Sequence, residues 1–283
     1  SLKILLAGAA ARWTTEDLEG TFAGGAAVRL QQHTDDAYTI EPGTVRGTRA
    51  AGHASWSDGR HTVTLAVRDF WQNYPKDLAV SARGFELGLC PPLRENEYDH
   101  ARGTMDEHRL YYYLQGGLYK LRHGVTKTHD FWIEFGGAPA AVASARQVRM
   151  AAAPAAWYAG ARVFGELSVS GPRGILDRYN QAFAGSLAGY VRSRERNREY
   201  GMLNFGDWWG ERQINWGNSE YDTQHAFLMQ FARTGDFAYF RRAEEMEWHN
   251  RDIDTVHSHH DPRQEGAVYG HAIGHTGDYY TSL

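Results

Sequence analysis

The hydrophobic period of this chain changes part-way along, from two residues to about 3.6, and few folds accommodate that change. In the first half, Thr62-Val63-Thr64-Leu65-Ala66-Val67-Arg68 alternates strictly and puts Val63, Leu65 and Val67 on one face. Phe85, Leu87 and Leu89 repeat the pattern. So do Phe131, Ile133 and Phe135, with Asp130, Trp132 and Glu134 opposite. Ser57-Asp58-Gly59, Pro75-Lys76-Asp77 and Gly116-Gly117 read as the turns between such runs. Alternating strands without intervening helices predict an antiparallel β-sandwich. The triple Tyr111-Tyr112-Tyr113 reads as ordinary strand packing.

Residues 136–156 are rich in Ala, Gly and Pro and read as a linker with a short helix. Beyond them, Ile175, Leu176, Tyr179, Phe183, Leu187, Tyr190 and Val191 form a helical stripe over 174–194. A second helix is expected to start at Ser219, a capping residue with Asp222 three positions on, and to end at Thr234-Gly235-Asp236. Gly235 suits a left-handed C-terminal position and Asp236 the cap of a third helix carrying Phe237, Phe240 and Met246 or Glu247. Helix, tight turn and helix make an αα-hairpin, and Thr276-Gly277-Asp278 repeats the punctuation.

Composition narrows the function classes. At 283 residues the chain is long enough for two domains. The net charge of −4 comes without a basic stripe, which argues against nucleic acid. The mixed run at 192–199 reads as a solvated helix end. A single cysteine, Cys90, excludes an internal disulfide and a cysteine-based metal site. No apolar run reaches the roughly 18 residues of a membrane span. The opening residues only faintly resemble a signal peptide and read as the inside of a longer protein. Compartment is not legible, with a secreted or periplasmic place slightly favoured over the cytoplasm. The 9 Trp, 16 Tyr and 12 Phe are numerous enough to fill cores and also to stack on sugar rings.

Two groups of motifs carry a resemblance. The first is Arg68-Asp69-Phe70-Trp71-Gln72-Asn73-Tyr74-Pro75-Lys76 with Gly124-Val125-Thr126-Lys127-Thr128-His129-Asp130-Phe131. The second is Gly206-Asp207-Trp208-Trp209-Gly210-Glu211-Arg212, Trp216-Gly217-Asn218-Ser219-Glu220-Tyr221-Asp222 and Asp252-Ile253-Asp254-Thr255-Val256-His257. Together they resemble the exo-rhamnogalacturonan lyases of polysaccharide lyase family twenty-six and their bacterial relatives, over about residues 25–283. The resemblance implies a multidomain β + α protein: an antiparallel β-sandwich followed by the first hairpins of an incomplete α/α toroid. On that reading 1–24 is the tail of a preceding β-domain or the start of the sandwich, 25–165 the sandwich, and 166–283 the toroid's N-terminal part. About four helices fit after Pro172, so the chain reads as a slice of a larger protein. The implied partner is an acidic polysaccharide or oligosaccharide, with neither nucleic acid nor membrane.

Such a lyase cleaves at C4 of a uronate by β-elimination. The carboxylate must be neutralised, a base must take the C5 proton, and an acid must protonate the leaving oxygen. His257, His259, His260, Arg263, Tyr269, His271 and His275 crowd one stretch, whose part over 258–274 reads as a loop. His257, His271, His275 and Tyr269 are its catalytic candidates and Arg263 a substrate-binding one. In Gly206–Arg212, one of Trp208 and Trp209 packs while the other is free to stack on sugar, beside Glu211 and Arg212. Arg212 suits a uronate fork. Tyr221 and His225, four apart, are expected on one helix face, with Asn218 and Glu220 at its start. Tyr221 is a candidate acid or base. Lys127 and His129 alternate onto one sandwich face, with Thr128 on the other. No cofactor is expected. The alternative is a divalent metal near His257, His259 and Asp261.

Two other functions compete. A glycoside hydrolase on an α/α barrel needs two carboxylates roughly 5–9.5 Å apart. Glu211, Glu220, Asp222, Asp252 and Asp254 are candidates for them. A non-catalytic carbohydrate-binding protein would keep the Trp residues without needing the histidines.

Overall fold

The structure is a computed structural model. It describes the chain except residues 9, 23–24, 44, 102, 105–113, 115–116, 137, 148, 172–174, 211–214, 219, 270–274 and 276–283. Two antiparallel sheets carry the first half. One has six strands in the order β1 (Leu2–Leu5), β10 (Gly84–Gly88), β9 (Lys76–Ser81), β4 (Val28–Thr34), β5 (Ala37–Glu41) and β6 (Val45–Gly47). The other has five, in the order β11 (Phe131–Glu134), β8 (Thr62–Val67), β7 (His53–Ser57), β2 (Arg12–Thr15) and β3 (Leu18–Thr21).

The alternation places the core. Leu30, Ile40, Leu78, Val80, Phe85 and Leu87 of the first sheet join Trp56, Val63, Leu65 and Val67 of the second in one buried cluster. Each fully buried aliphatic side chain there contributes about 1.5–3 kcal/mol. Residues 1–24 supply three strands of these sheets, so they are part of the sandwich.

Two sequence expectations are corrected. Lys76 and Asp77 open strand β9 instead of forming a turn, and β9 pairs on both sides, with β10 and β4. In β11 the expected faces are inverted. Phe131 is 36% exposed, Ile133 41% and Phe135 83%, whereas Trp132 packs against α1 (Ala138–Arg146). The cause is that helix: its Ala141 and Ala145 meet Ala66 of β8, small enough for close approach, and cover the face that carries Trp132.

The second half is helical. α4 (Thr223–Thr234) and α5 (Phe237–His249) form the expected hairpin. Gly235 takes the left-handed conformation at φ 73°, and the Asp236 carboxylate accepts from the Ala238 amide at 2.8 Å. α2 (Ala155–Ala161) packs on α4, and α3 (Ile175–Asn197) sends Phe183, Leu187 and Tyr190 against Phe227, Tyr239 and Met246. α5 ends in a π turn over Asn250–Asp254. A further core joins the two halves: Tyr74 and Tyr98 meet Tyr200, Met202, Phe205 and Ile253. Among the described residues, no helix is long and apolar enough to cross a membrane.

Candidate functional site

The two halves leave a narrow cleft of about 20 Å³ between the end of β8, the segment leading into β11 and one face of α5. Arg68 and Asp69 enter it from β8, Lys127, Thr128, His129 and Asp130 from the segment, and Glu244, Glu245 and Trp248 from α5. Spacing of one and four residues puts those three on adjoining parts of one helix face.

Each wall is braced. The Arg68 guanidinium donates to both Glu244 oxygens, at 3.3 and 2.5 Å, and lies 5.0 Å from the Trp248 ring centre. Arg251 lies 5.2 Å from the same ring centre. The segment is tied to the π turn: the Thr128 amide and hydroxyl donate to the Asp252 carboxylate at 2.6 and 3.1 Å, and the Thr126 amide to the Asp252 carbonyl at 2.9 Å. Lys127 and His129 therefore lie on an irregular extended segment rather than on a sandwich strand, and Thr128 lines the same cleft with them.

Behind His129 stands the buried Lys76, its Nζ 2.8 Å from His129 Nδ1. Burial, then the nearby Lys127 charge, pulls the Lys76 amine down to about 7. Burial also draws Lys127 down to about 8, against Asp252 and Asp69, which favour its charge. His129 is held far below its ordinary value by burial and by both lysines, so it is a neutral ring. On the other wall Asp69 is pushed up to about 6 by burial and by Glu245, with Arg68 opposing.

Beyond the cleft lies a closed polar cluster of Asp207, His249, Asp254 and His275, all at most 3% exposed. Gly206 makes it possible. Its φ is 109°, and a Cβ there would collide with the Glu245 carbonyl and the His249 Cβ, so only glycine lets Asp207 reach α5. Burial opposes the charge on His249, but Asp254 and Asp207 outweigh it and hold the ring above its usual value. His275 goes the other way, down to about 4, because burial outweighs its bond to Asp207. Asp207 is held low, its two histidines outweighing burial.

The residues singled out in the sequence scatter around these two places. Lys127 and His129 share the cleft, and Asn218 and His275 share the closed cluster. Trp209 packs edge-on against Trp216, and Trp208 stacks on the 69% exposed Tyr221 at 6.2 Å. Tyr221 and His225 do not share a helix face. Tyr221 has φ 71° in a 3-10 turn ahead of α4, and His225 projects from α4 into solvent. Glu220 is half-buried in the same turn. Tyr269 is buried, its hydroxyl donating to the His123 carbonyl at 3.3 Å. Arg212, Glu211 and His271 lie outside the described residues, as do Ser219, Tyr111-Tyr112-Tyr113 and Thr276-Gly277-Asp278.

The metal alternative at His257, His259 and Asp261 does not converge. His257 Nε2 donates to the Arg251 carbonyl at 2.6 Å. His259 Nδ1 accepts from the Asp261 amide at 3.1 Å. The Asp261 carboxylate grips the 88% exposed Arg263 through Nε and Nη2. Among the described residues, the donors that do come within ligand spacing are Asp207, His249 and His275.

Lys76, Trp248, Glu244 and Glu245 escaped the sequence reading. The four-residue spacing of Glu244 and Trp248 was a signal. Nothing local distinguished Lys76. No protein-family model and no curated protein matches this chain.

Proposed function

We propose that the protein is an exo-acting polysaccharide lyase that cleaves a uronate-containing polymer such as rhamnogalacturonan by β-elimination in the Lys127 cleft. The observation that carries the reading is the convergence of Lys127, His129 and Trp248 in one cleft, backed by the buried Lys76. Elimination needs a base for the C5 proton and a positive field at the carboxylate. The Lys127 amine, lowered to about 8, supplies the first, because its free base becomes the dominant form as pH rises through that value. Lys127, on the cleft wall, takes the C5 proton. Lys76 donates to His129 Nδ1, which leaves the His129 Nε2–H to hydrogen-bond the leaving oxygen, and the ammonium formed on Lys127 returns the proton that oxygen needs. Trp248 offers a ring for sugar stacking. Arg68 is committed to Glu244, so its role is to hold the wall. The substrate class rests on the family resemblance, in which α3 to α5 are the opening hairpins of an α/α toroid.

The test is to incubate the protein with rhamnogalacturonan backbone and follow ultraviolet absorbance of the unsaturated uronate. A rise that Lys127→Gln reduces about 10²–10⁴-fold supports the reading. New reducing ends without absorbance would sink it.

That second outcome has its own structural support. Asp69, raised to about 6 beside Glu245, has the acidity of a glycosidase general acid. A hydrolase would then use Asp69 as its general acid, because Glu245 is held by Arg194 and Arg242, Asp252 is tied to Thr128 and Asp254 is enclosed.

A further inference from the structure

We infer that Asp207, His249 and His275, with the Asp254 carboxylate beside them, form a closed site for a divalent transition-metal ion of the zinc class. The inference is independent of the lyase reading.

Donor spacing comes first. Asp207 Oδ2 lies 3.7 Å from His249 Nε2 and 3.4 Å from His275 Nδ1. Asp254 Oδ1 lies 3.2 Å from His249 Nε2 and 3.9 Å from His275 Nδ1. Donors about 2.0–2.1 Å from a tetrahedral centre stand about 3.3–3.4 Å apart, and the two edges from Asp207 are close to that separation. Two imidazoles and a carboxylate are ligands of the zinc class, and a set with no thiolate and only one oxygen donor argues against softer and harder ions.

Orientation comes second. His275 Nε2 faces Asn204 Oδ1 at 2.9 Å, and that amide is turned so because its Nδ2 donates to the Tyr200 carbonyl at 3.3 Å. His275 Nδ1 faces Asn218 Oδ1 at 3.0 Å, and the Asn218 Nδ2 donates to the His275 carbonyl. A neutral ring has one N–H. Placed on Nε2 for Asn204, it leaves the Nδ1 lone pair pointing at the oxygens of Asn218 and Asp207. A cation at that point turns repulsion into coordination, with Asn204 fixing the tautomer.

His249 supplies the third observation. It is 1% exposed, and neither ring nitrogen makes a hydrogen bond of acceptable angle, although Nε2 points among the carboxylates. Two enclosed carboxylates carry two negative charges, which one dication neutralises. The ligands come from three places in the chain, after Gly206, the end of α5 and residue 275, and Asp254 brings the end of the π turn against them. A metal here staples the π turn that holds Thr128 in the cleft. With every ligand enclosed, the site is structural.

The test uses the full chain purified without chelator. Elemental analysis is expected to give about one equivalent of a zinc-class metal. Stripping with a strong chelator should lower Tm by roughly 5–10 °C, and added Zn²⁺ should restore it. Co²⁺ loaded into the stripped wild type should give the intense visible bands of a tetrahedral nitrogen–oxygen site, a readout that needs no variant to fold. His249→Ala should abolish those bands, and His259→Ala should leave them unchanged. Metal-free purified protein whose Tm ignores Zn²⁺ would overturn the inference and assign the cluster to a protonated His249 among its carboxylates. Bands lost in His259→Ala but kept in His249→Ala would overturn it too. Because the readouts are metal content, Tm and spectrum, absence of lyase activity bears on the other proposal alone.

Discussion

A lysine is protonated at neutral pH unless the protein disfavours its charge, so a lysine base must come with a measurable acidity. If Lys127 removes the proton, kcat/KM should rise with pH through about 8, because the active form is the free amine. A rate flat across that interval would remove Lys127 from the role. Lys76 makes a separate prediction about stability. Its amine binds a proton less readily when folded, at about 7, than the ordinary lysine at 10.5. Between those values the unfolded chain carries more protons, so folding stability rises with pH and the penalty is complete below about 7. The urea midpoint of the wild type should therefore climb between about pH 7 and pH 10, and Lys76→Met should climb less. Equal climbs would show that Lys76 is not the group responsible. At this scale the sequence was half legible. Lys127 and His129 could be paired by alternation, but Lys76 joins them only because β9 runs beneath the segment, and strand pairing over that separation leaves no local mark.

Elements were more legible where their ends are chemical. Gly235 and Asp236 punctuate the α4–α5 hairpin because a left-handed residue and a carboxylate cap are local needs. Asp236→Ala should cost about 1 kcal/mol in urea denaturation, and an unchanged midpoint would show the cap to be idle. β11 was misread for the opposite reason. Its alternation shows that two faces differ, but which face is covered depends on α1, and α1 reaches it through Ala66, Ala141 and Ala145. The left-handed turn at Tyr221 and Asp222 was equally hidden, since both residues look compatible with a first helical turn.

In the whole molecule, the two halves are clamped by long-range pairs that period analysis cannot see. Arg198, just beyond α3, forks onto the buried Asp35 between β4 and β5, with Nη2 2.6 Å and Nε 3.0 Å from its oxygens. Asp35→Ala leaves that guanidinium with the exposed Asp36 alone and should cost about 1–3 kcal/mol, read from the urea midpoint. A loss within about 0.5 kcal/mol would mark the clamp as dispensable. The division into sandwich and helices was readable from the change of period. The cleft was not, because it is made of both.

The pairing of β1 with β10 has a consequence for the order in which the chain is made. Leu2–Leu5 find their partner only when Gly84–Gly88 have emerged. At about 5–20 residues per second, that is a wait of roughly 4–16 seconds on the ribosome. Arg68 waits longer for Glu244, 176 positions downstream. The sandwich can close while the helices are still being translated, and the cleft takes shape only once α5 has followed.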